Sequence, residues 1–185
     1  MEDHLKEFKL TPKVRQKLKD KTLLKEELEA GKTAQEILEF SDISMAKFYG
    51  ASYKLFEHQR FEDASNAFLF LATLNPYNYD YWVGLGMSLQ MLGDYELAID
   101  AYEMAAICQV DNPVPYFYLA KCLFAIHDRE SALQALDLAV EYSSEHAEYS
   151  EMLIQALKAK DLLNQMEHPL KKKRTRKKPK SELNE

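Results

Sequence analysis

Five histidines, two cysteines and a few clustered carboxylates are the side chains of this 185-residue chain that could do acid–base, nucleophilic or metal chemistry. Such work needs the groups in short register, as in two histidines four apart with a glutamate beside the first. His4, His58, His127, His146 and His168 are dispersed, and none belongs to such a pair. A Gly-rich phosphate loop and a Gly-x-Ser-x-Gly elbow are both missing from the sequence. Glu26, Glu27 and Glu29 read as a solvated helix face, and Cys108 and Cys122 as reduced thiols at half-buried helical positions. The sequence therefore offers no catalytic residue, metal ligand or cofactor, and the chain is not expected to be an enzyme. The chemistry that remains is recognition. Tyr49, Tyr53 and Phe56, spaced by four and three, put three rings on one face of a helix.

The elements that position those rings are set by a 34-residue period. Phe48, Ser52, Ala64, Phe68 and Leu71 recur 34 residues later as Trp82, Gly86, Ala98, Tyr102 and Ala105, and again as Tyr116, Ala120, Ala132, Leu136 and Ala139. A large aromatic, a small residue four places on, an alanine and then a bulky apolar residue in a second helix spell a tetratricopeptide repeat. The small residues let the two helices of a hairpin approach closely, and the aromatics fill the space between them. A single hairpin cannot bury both apolar faces, so neighbouring hairpins must stack. The expected fold is all-α: three hairpins in a short right-handed superhelix, with N-terminal helices before it and a C-terminal capping helix after it.

Composition agrees. The chain is 46% hydrophobic and poor in glycine and proline, enough for a real core at this length. No apolar run approaches the roughly 20 residues that cross a bilayer, and MEDHLKEFKL lacks the layout of a signal peptide. A cytosolic protein is expected. Residues 1 to 168 hold 16 Lys+Arg against 28 Asp+Glu, and residues 169 to 185 hold 8 against 2, so an acidic body precedes a basic tail.

Along the chain, Thr11 and Pro12 open a polar helix that runs to Ala30 and stops at Gly31. Thr33 and Glu36 form a capping box for a short helix through Phe40. Helix pairs are expected at about 44–57 with 60–74, 78–91 with 94–107, and 113–125 with 128–141. A last amphipathic helix is expected from about Glu145 to Met166. Residues 1–40 thus read as an N-terminal helical segment and 41–166 as three repeats (about 45–78, 79–112 and 113–146) with a capping helix. Residues 167–185 read as a basic disordered tail.

In stacked hairpins of this kind the first helices line a concave groove, reached by the second, fifth, ninth and twelfth places of each unit. These are Ala46, Tyr49, Tyr53 and Phe56, then Asp80, Val83, Met87 and Gln90, then Val114, Phe117, Lys121 and Phe124. The groove is aromatic and apolar, although Phe56 and Phe124 could equally pack against a terminal helix. A clamp of Lys, Asn and Arg for an acidic chain terminus is absent, because its places hold Tyr49, Tyr53, Gly84, Val114 and Tyr118.

Further motifs carry a closer resemblance. Gly31-Lys-Thr-Ala-Gln-Glu-Ile-Leu, Ile43-Ser44, Phe61-Glu-Asp-Ala64, Leu85-Gly86, Gly93-Asp-Tyr-Glu-Leu-Ala-Ile99 and Pro113 occur in that order. Over about residues 30 to 145 the chain resembles the class II chaperones of bacterial type III secretion, which hold hydrophobic translocator subunits. The resemblance implies that an extended translocator segment lies in the groove against Tyr49, Tyr53, Phe56, Val83, Gly84, Met87, Phe117 and Lys121. The aromatics would form pockets for apolar anchors, Gly84 would admit the peptide backbone, and Lys121 would bond a peptide carbonyl. It also implies a bacterial cytoplasm and a homodimer through the N-terminal helices.

One segment departs from the family pattern. Residues 171 to 180, KKKRTRKKPK, carry eight basic side chains in ten. A solvated tail, a contact with nucleic acid or an anionic membrane, and a nuclear localisation signal are three readings of it. A bacterial source removes most of the weight from nuclear import, the solvated tail is favoured, and neither nucleic acid nor stable membrane insertion is expected. The alternative function is a generic tetratricopeptide adaptor that uses the tail for import or nucleic-acid contact.

Overall fold

A computed structural model describes the backbone of residues 10–171 and the side chains to Met166. Among the described residues the chain is helical: α1 (Pro12–Lys17), α2 (Lys21–Glu29), α3 (Ala34–Ile37), α4 (Asp42–Glu57), α5 (Phe61–Leu74), α6 (Tyr79–Leu92), α7 (Tyr95–Cys108), α8 (Pro113–Ala125), α9 (Arg129–Ser144) and α10 (Ser150–Lys171). A 3₁₀ turn, Ala147–Tyr149, precedes α10. The expected hairpin helices are all present, each within two to three residues of its expected ends. No helix among the described residues is long and apolar enough to cross a membrane. The basic run beyond Lys171 lies outside the described residues.

The N-terminal helix differs from the reading in one respect. A single helix was expected from Pro12 to Ala30, but the chain breaks after Lys17 and restarts at Lys21. Asp20 is the cause: its carboxylate accepts from the backbone amides of Thr22 and Leu23, both at 3.1 Å, and starts α2 afresh. Thr11 caps α1 through the Val14 amide at 3.2 Å, Gly31 takes φ +78° after α2, and the Thr33–Glu36 capping box is formed in both directions. Val14 is fully buried, while Glu27 gathers Lys17 and Lys32 at 3.1 and 2.8 Å.

The chain falls into two compact units divided between Asp111 and Asn112. In the first unit the hairpins α4–α5 and α6–α7 pack around Ala64, Phe68, Leu71, Ala98, Tyr102 and Ala105, all buried. The small residues act as their spacing predicts. A Cβ on Gly86 would stand 2.7 Å from the Tyr102 ring, so only glycine lets α6 and α7 approach this closely. Ser52 is buried and returns its hydroxyl to the Phe48 carbonyl at 2.9 Å. Phe48 packs edge-on between Phe40 and Phe70 at 5.9 and 5.7 Å. Trp82 donates its indole N–H to the Pro76 carbonyl at 2.7 Å, pinning the turn before α6.

In the second unit, α8, α9 and α10 enclose Ala120, Ala132, Leu136, Ala139, Ala156 and Leu163. Arg129 at the start of α9 donates to the Leu163 carbonyl of α10 at 3.0 Å, tying the two helices together. The turns between paired helices share one geometry. Gln59, Gly93 and His127, each 34 residues from the next, take positive φ of 59°, 84° and 68°. Glycine occupies that left-handed position in the middle hairpin alone.

Candidate peptide-binding site

The first unit carries six of the eight residues expected to bind peptide: Tyr49, Tyr53, Phe56, Val83, Gly84 and Met87. α4 brings Tyr49 and Tyr53 together because residues four apart share a helical face. Their rings stack at 6.5 Å, and Tyr49 also meets Phe68 edge-on at 5.9 Å and Tyr81 of α6 at 6.0 Å. Tyr53 ends this aromatic row with 47% of its surface exposed. Desolvation, and then the Asp80 carboxylate, push both the Tyr49 and Tyr81 hydroxyls above the usual phenol value. They therefore stay protonated, able to donate or accept a hydrogen bond.

Beside this row lies a cavity of about 320 Å³ lined by Asp42, Tyr49, Asn75, Asp80 and Tyr81 among others. Its floor is ordered by Gln35, which donates to Asp42 at 2.9 Å and accepts from Asn75 at 3.0 Å. Val83 and Met87 are half-buried on α6. Phe56 is half-buried too, but its ring packs edge-on against Phe61 at the start of α5, 5.3 Å away, so the hairpin itself uses one side of it.

Gly84 has a packing role within the unit. A Cβ there would lie 2.4 Å from Cε1 of Phe68, so its bare side faces α5 and admits the Phe68 ring. Packing within the unit already requires a glycine at this place.

The second unit carries Phe117 and Lys121. Phe117 is only 5% exposed and belongs to the core of α8, α9 and α10, where an exposed groove anchor was expected. It is buried because Lys121 and Tyr118 close over it: the Lys121 ammonium sits 4.4 Å from its ring centre, and the Tyr118 ring packs against it at 5.6 Å. Desolvation by these walls holds the Lys121 ammonium below the usual lysine value. Phe124, equally divided in expectation between groove and packing, is 44% exposed. The capping helix α10 was expected, but not that its Leu162 and Met166 face the same space as Lys121 and Phe124.

Neither cysteine is activated. Burial raises the Cys108 thiol and pushes Cys122 up to about 11. Among the described residues no cluster of His, Cys, Asp or Glu is arranged to hold a metal ion.

Known proteins place this architecture. The tetratricopeptide repeat family matches residues 79–112. Low calcium response locus protein H of Yersinia pestis is 30% identical over 144 residues, spanning 76% of this chain and 86% of that protein. The type III secretion chaperone SycD of Yersinia enterocolitica, solved in complex with a peptide of the translocator YopD, is 25% identical with a TM-score of 0.68, covering 70% of this chain and 99% of that one. A type III secretion complex from Aeromonas hydrophila shares the fold at a TM-score of 0.77 and 22% identity, over 80% of this chain and 99% of that one. With its aromatic α4 face, its helical hairpins and these relatives, the chain belongs to the tetratricopeptide-repeat class II chaperones of bacterial type III secretion.

Proposed function

We propose that this protein is a bacterial cytoplasmic chaperone that binds an extended apolar segment of a hydrophobic translocator and keeps it soluble until secretion. The observation that carries the reading is the row Tyr81–Tyr49–Tyr53, whose outer residue is left about half exposed on α4. An exposed aromatic beside an already ordered polar floor is a preformed pocket for an apolar anchor. The solved relative that holds a translocator peptide supports the same assignment. Tyr49, Tyr53, Val83 and Met87 contact the client in this reading, Phe56 and Gly84 shape the wall, and Phe117 and Lys121 serve from the second unit.

The mechanism is physical. A segment destined for a membrane aggregates in water because its apolar surface has no partner, and occupying that surface removes the driving force. The acidic body, with 28 Asp+Glu against 16 Lys+Arg over residues 1–168, adds charge that keeps the complex dispersed. A homodimer through the N-terminal helices would cover part of α1 and α2, where Leu18, Leu23 and Leu28 are exposed.

The test begins with recovery of the full-length chain from its own cells and identification of the partner bound to it. Co-expression of that partner should give a soluble complex with the wild-type chain and an insoluble partner with Tyr53→Ala. Phe117→Ala is the wrong probe, since emptying a core aromatic position costs about 3–5 kcal/mol of stability. A generic adaptor would instead lose its partner on removal of residues 169–185 and keep it in the Tyr53 variant.

A further inference from the structure

In the second unit, α10 does more than close the last hairpin. Its buried Ala156 and Leu163 seat it on α9, and that seating leaves a cavity of about 540 Å³ open between α8 and α10. Its walls are apolar on both sides. Phe117 and Phe124 come from one face of α8, and Leu162 and Met166 from one face of α10. Leu162, Met166 and Phe124 are 63%, 59% and 44% exposed, so the hydrophobic wall is open to a partner.

Two cations stand on that wall. Lys121 of α8 and Lys158 of α10 both line the cavity. Among the described residues neither is ion-paired, whereas Lys160, two places on from Lys158, is paired with Asp137. Lys121 lies instead over the rings of Phe117 and Tyr118, at 4.4 and 4.8 Å. Two ammonium groups on an apolar cavity invert the charge of a body that is otherwise acidic. A carboxylate brought there meets two exposed cations beside an apolar wall, and can form a charge-assisted bond with either. The chain's own basic run at 171–180 has the wrong sign to occupy it.

We infer that this cavity is an anchoring site for the client, taking a bulky apolar side chain that is followed or preceded within a few residues by an aspartate or glutamate. α10 is then part of the binding surface as well as a cap. This inference rests on the reading of the chain as a client-binding chaperone, and its test separates the two.

The full-length chain would carry the photo-crosslinking residue benzoylphenylalanine in place of Leu162 or, separately, of Tyr53, and would be irradiated in its own cells. The crosslinked segments would then be sequenced. Leu162 is expected to capture a client segment that holds a large apolar residue next to an acidic one. A synthetic, fluorescently labelled copy of that segment should then bind the wild-type chain about tenfold more tightly than Lys121→Ala/Lys158→Ala, the loss expected for removing well-placed charges. Changing its acidic residue to the amide should cost the same. Capture at Tyr53 with none at Leu162 overturns the α10 site and leaves the chaperone reading standing, and capture at neither overturns both. Capture at Leu162 of a second copy, of residues 172–185, or of a client segment without an acidic residue also overturns it, as does equal affinity of the double lysine variant.

Discussion

At the scale of single residues, the same residue type does two jobs in this chain, and the coordinates separate them. Gly84 and Gly86 are both bare because an aromatic ring from a neighbouring helix fills the place of a side chain, Phe68 of α5 in one case and Tyr102 of α7 in the other. Gly84→Ala should therefore lower stability by about 1–3 kcal/mol, the usual cost of overpacking a tight core, as read from urea unfolding. Gly50, in the middle of α4, has open space where a Cβ would go, so the same change there is a control that leaves the core undisturbed. Cys122 gives a second prediction. Burial holds its thiol at about 11, above its ordinary value of 9.0. The protonated thiol therefore contributes stability that is fully present below pH 9 and is lost as the pH rises through about 11. At pH 8 a thiol reagent should leave Cys122 unmodified in the folded protein and label it in urea, and rapid labelling without denaturant would refute that.

At the scale of elements, the hairpins were legible because packing imposes residue size at fixed intervals. Ala64, Ala98 and Ala132 are all 0% exposed, so the period read in the sequence is the period of the core. What escaped was governed by local competition or by a neighbour far along the chain. The polar stretch from Pro12 to Ala30 has apolar residues at helical spacing, yet Asp20 offers its carboxylate to two amides and restarts the helix there. Phe117 and Phe124 stand on one face of α8, yet the first is covered by the core shared with α9 and α10 and by Lys121 and Tyr118, while the second is left open. Gln59 and His127 hide a third feature. They share with Gly93 the left-handed turn between paired helices, a conformation that costs a residue with a side chain about 1–2 kcal/mol. Gln59→Gly should recover roughly 0.5–1 kcal/mol of that after the larger entropy loss of glycine is subtracted. Thermal unfolding would show it as a raised midpoint, and an unchanged or lowered one would mean that the Gln59 side chain contributes more than the strain it causes.

At the scale of the whole molecule, the chain is an acidic helical protein whose described surface offers apolar faces in each unit: the tyrosine row of the first and the Lys121–Lys158 cavity of the second. Family membership and the half-exposed Tyr53 ring direct the account to recognition of a hydrophobic client. Affinity in such a site concentrates in a few rigid aromatic anchors, each worth about 2 kcal/mol or more when truncated. Tyr53 is the anchor that can be removed with least harm to the fold, since its ring is half exposed and Tyr49, its aromatic partner among the described residues, keeps Phe68 and Tyr81. The most direct measurement is titration of the client segment into wild-type and Tyr53→Ala full-length chains by calorimetry, with circular dichroism and the unfolding midpoint recorded on both. The account predicts a loss of affinity of about thirtyfold with helicity and midpoint unchanged, and equal affinity of the two chains would contradict it.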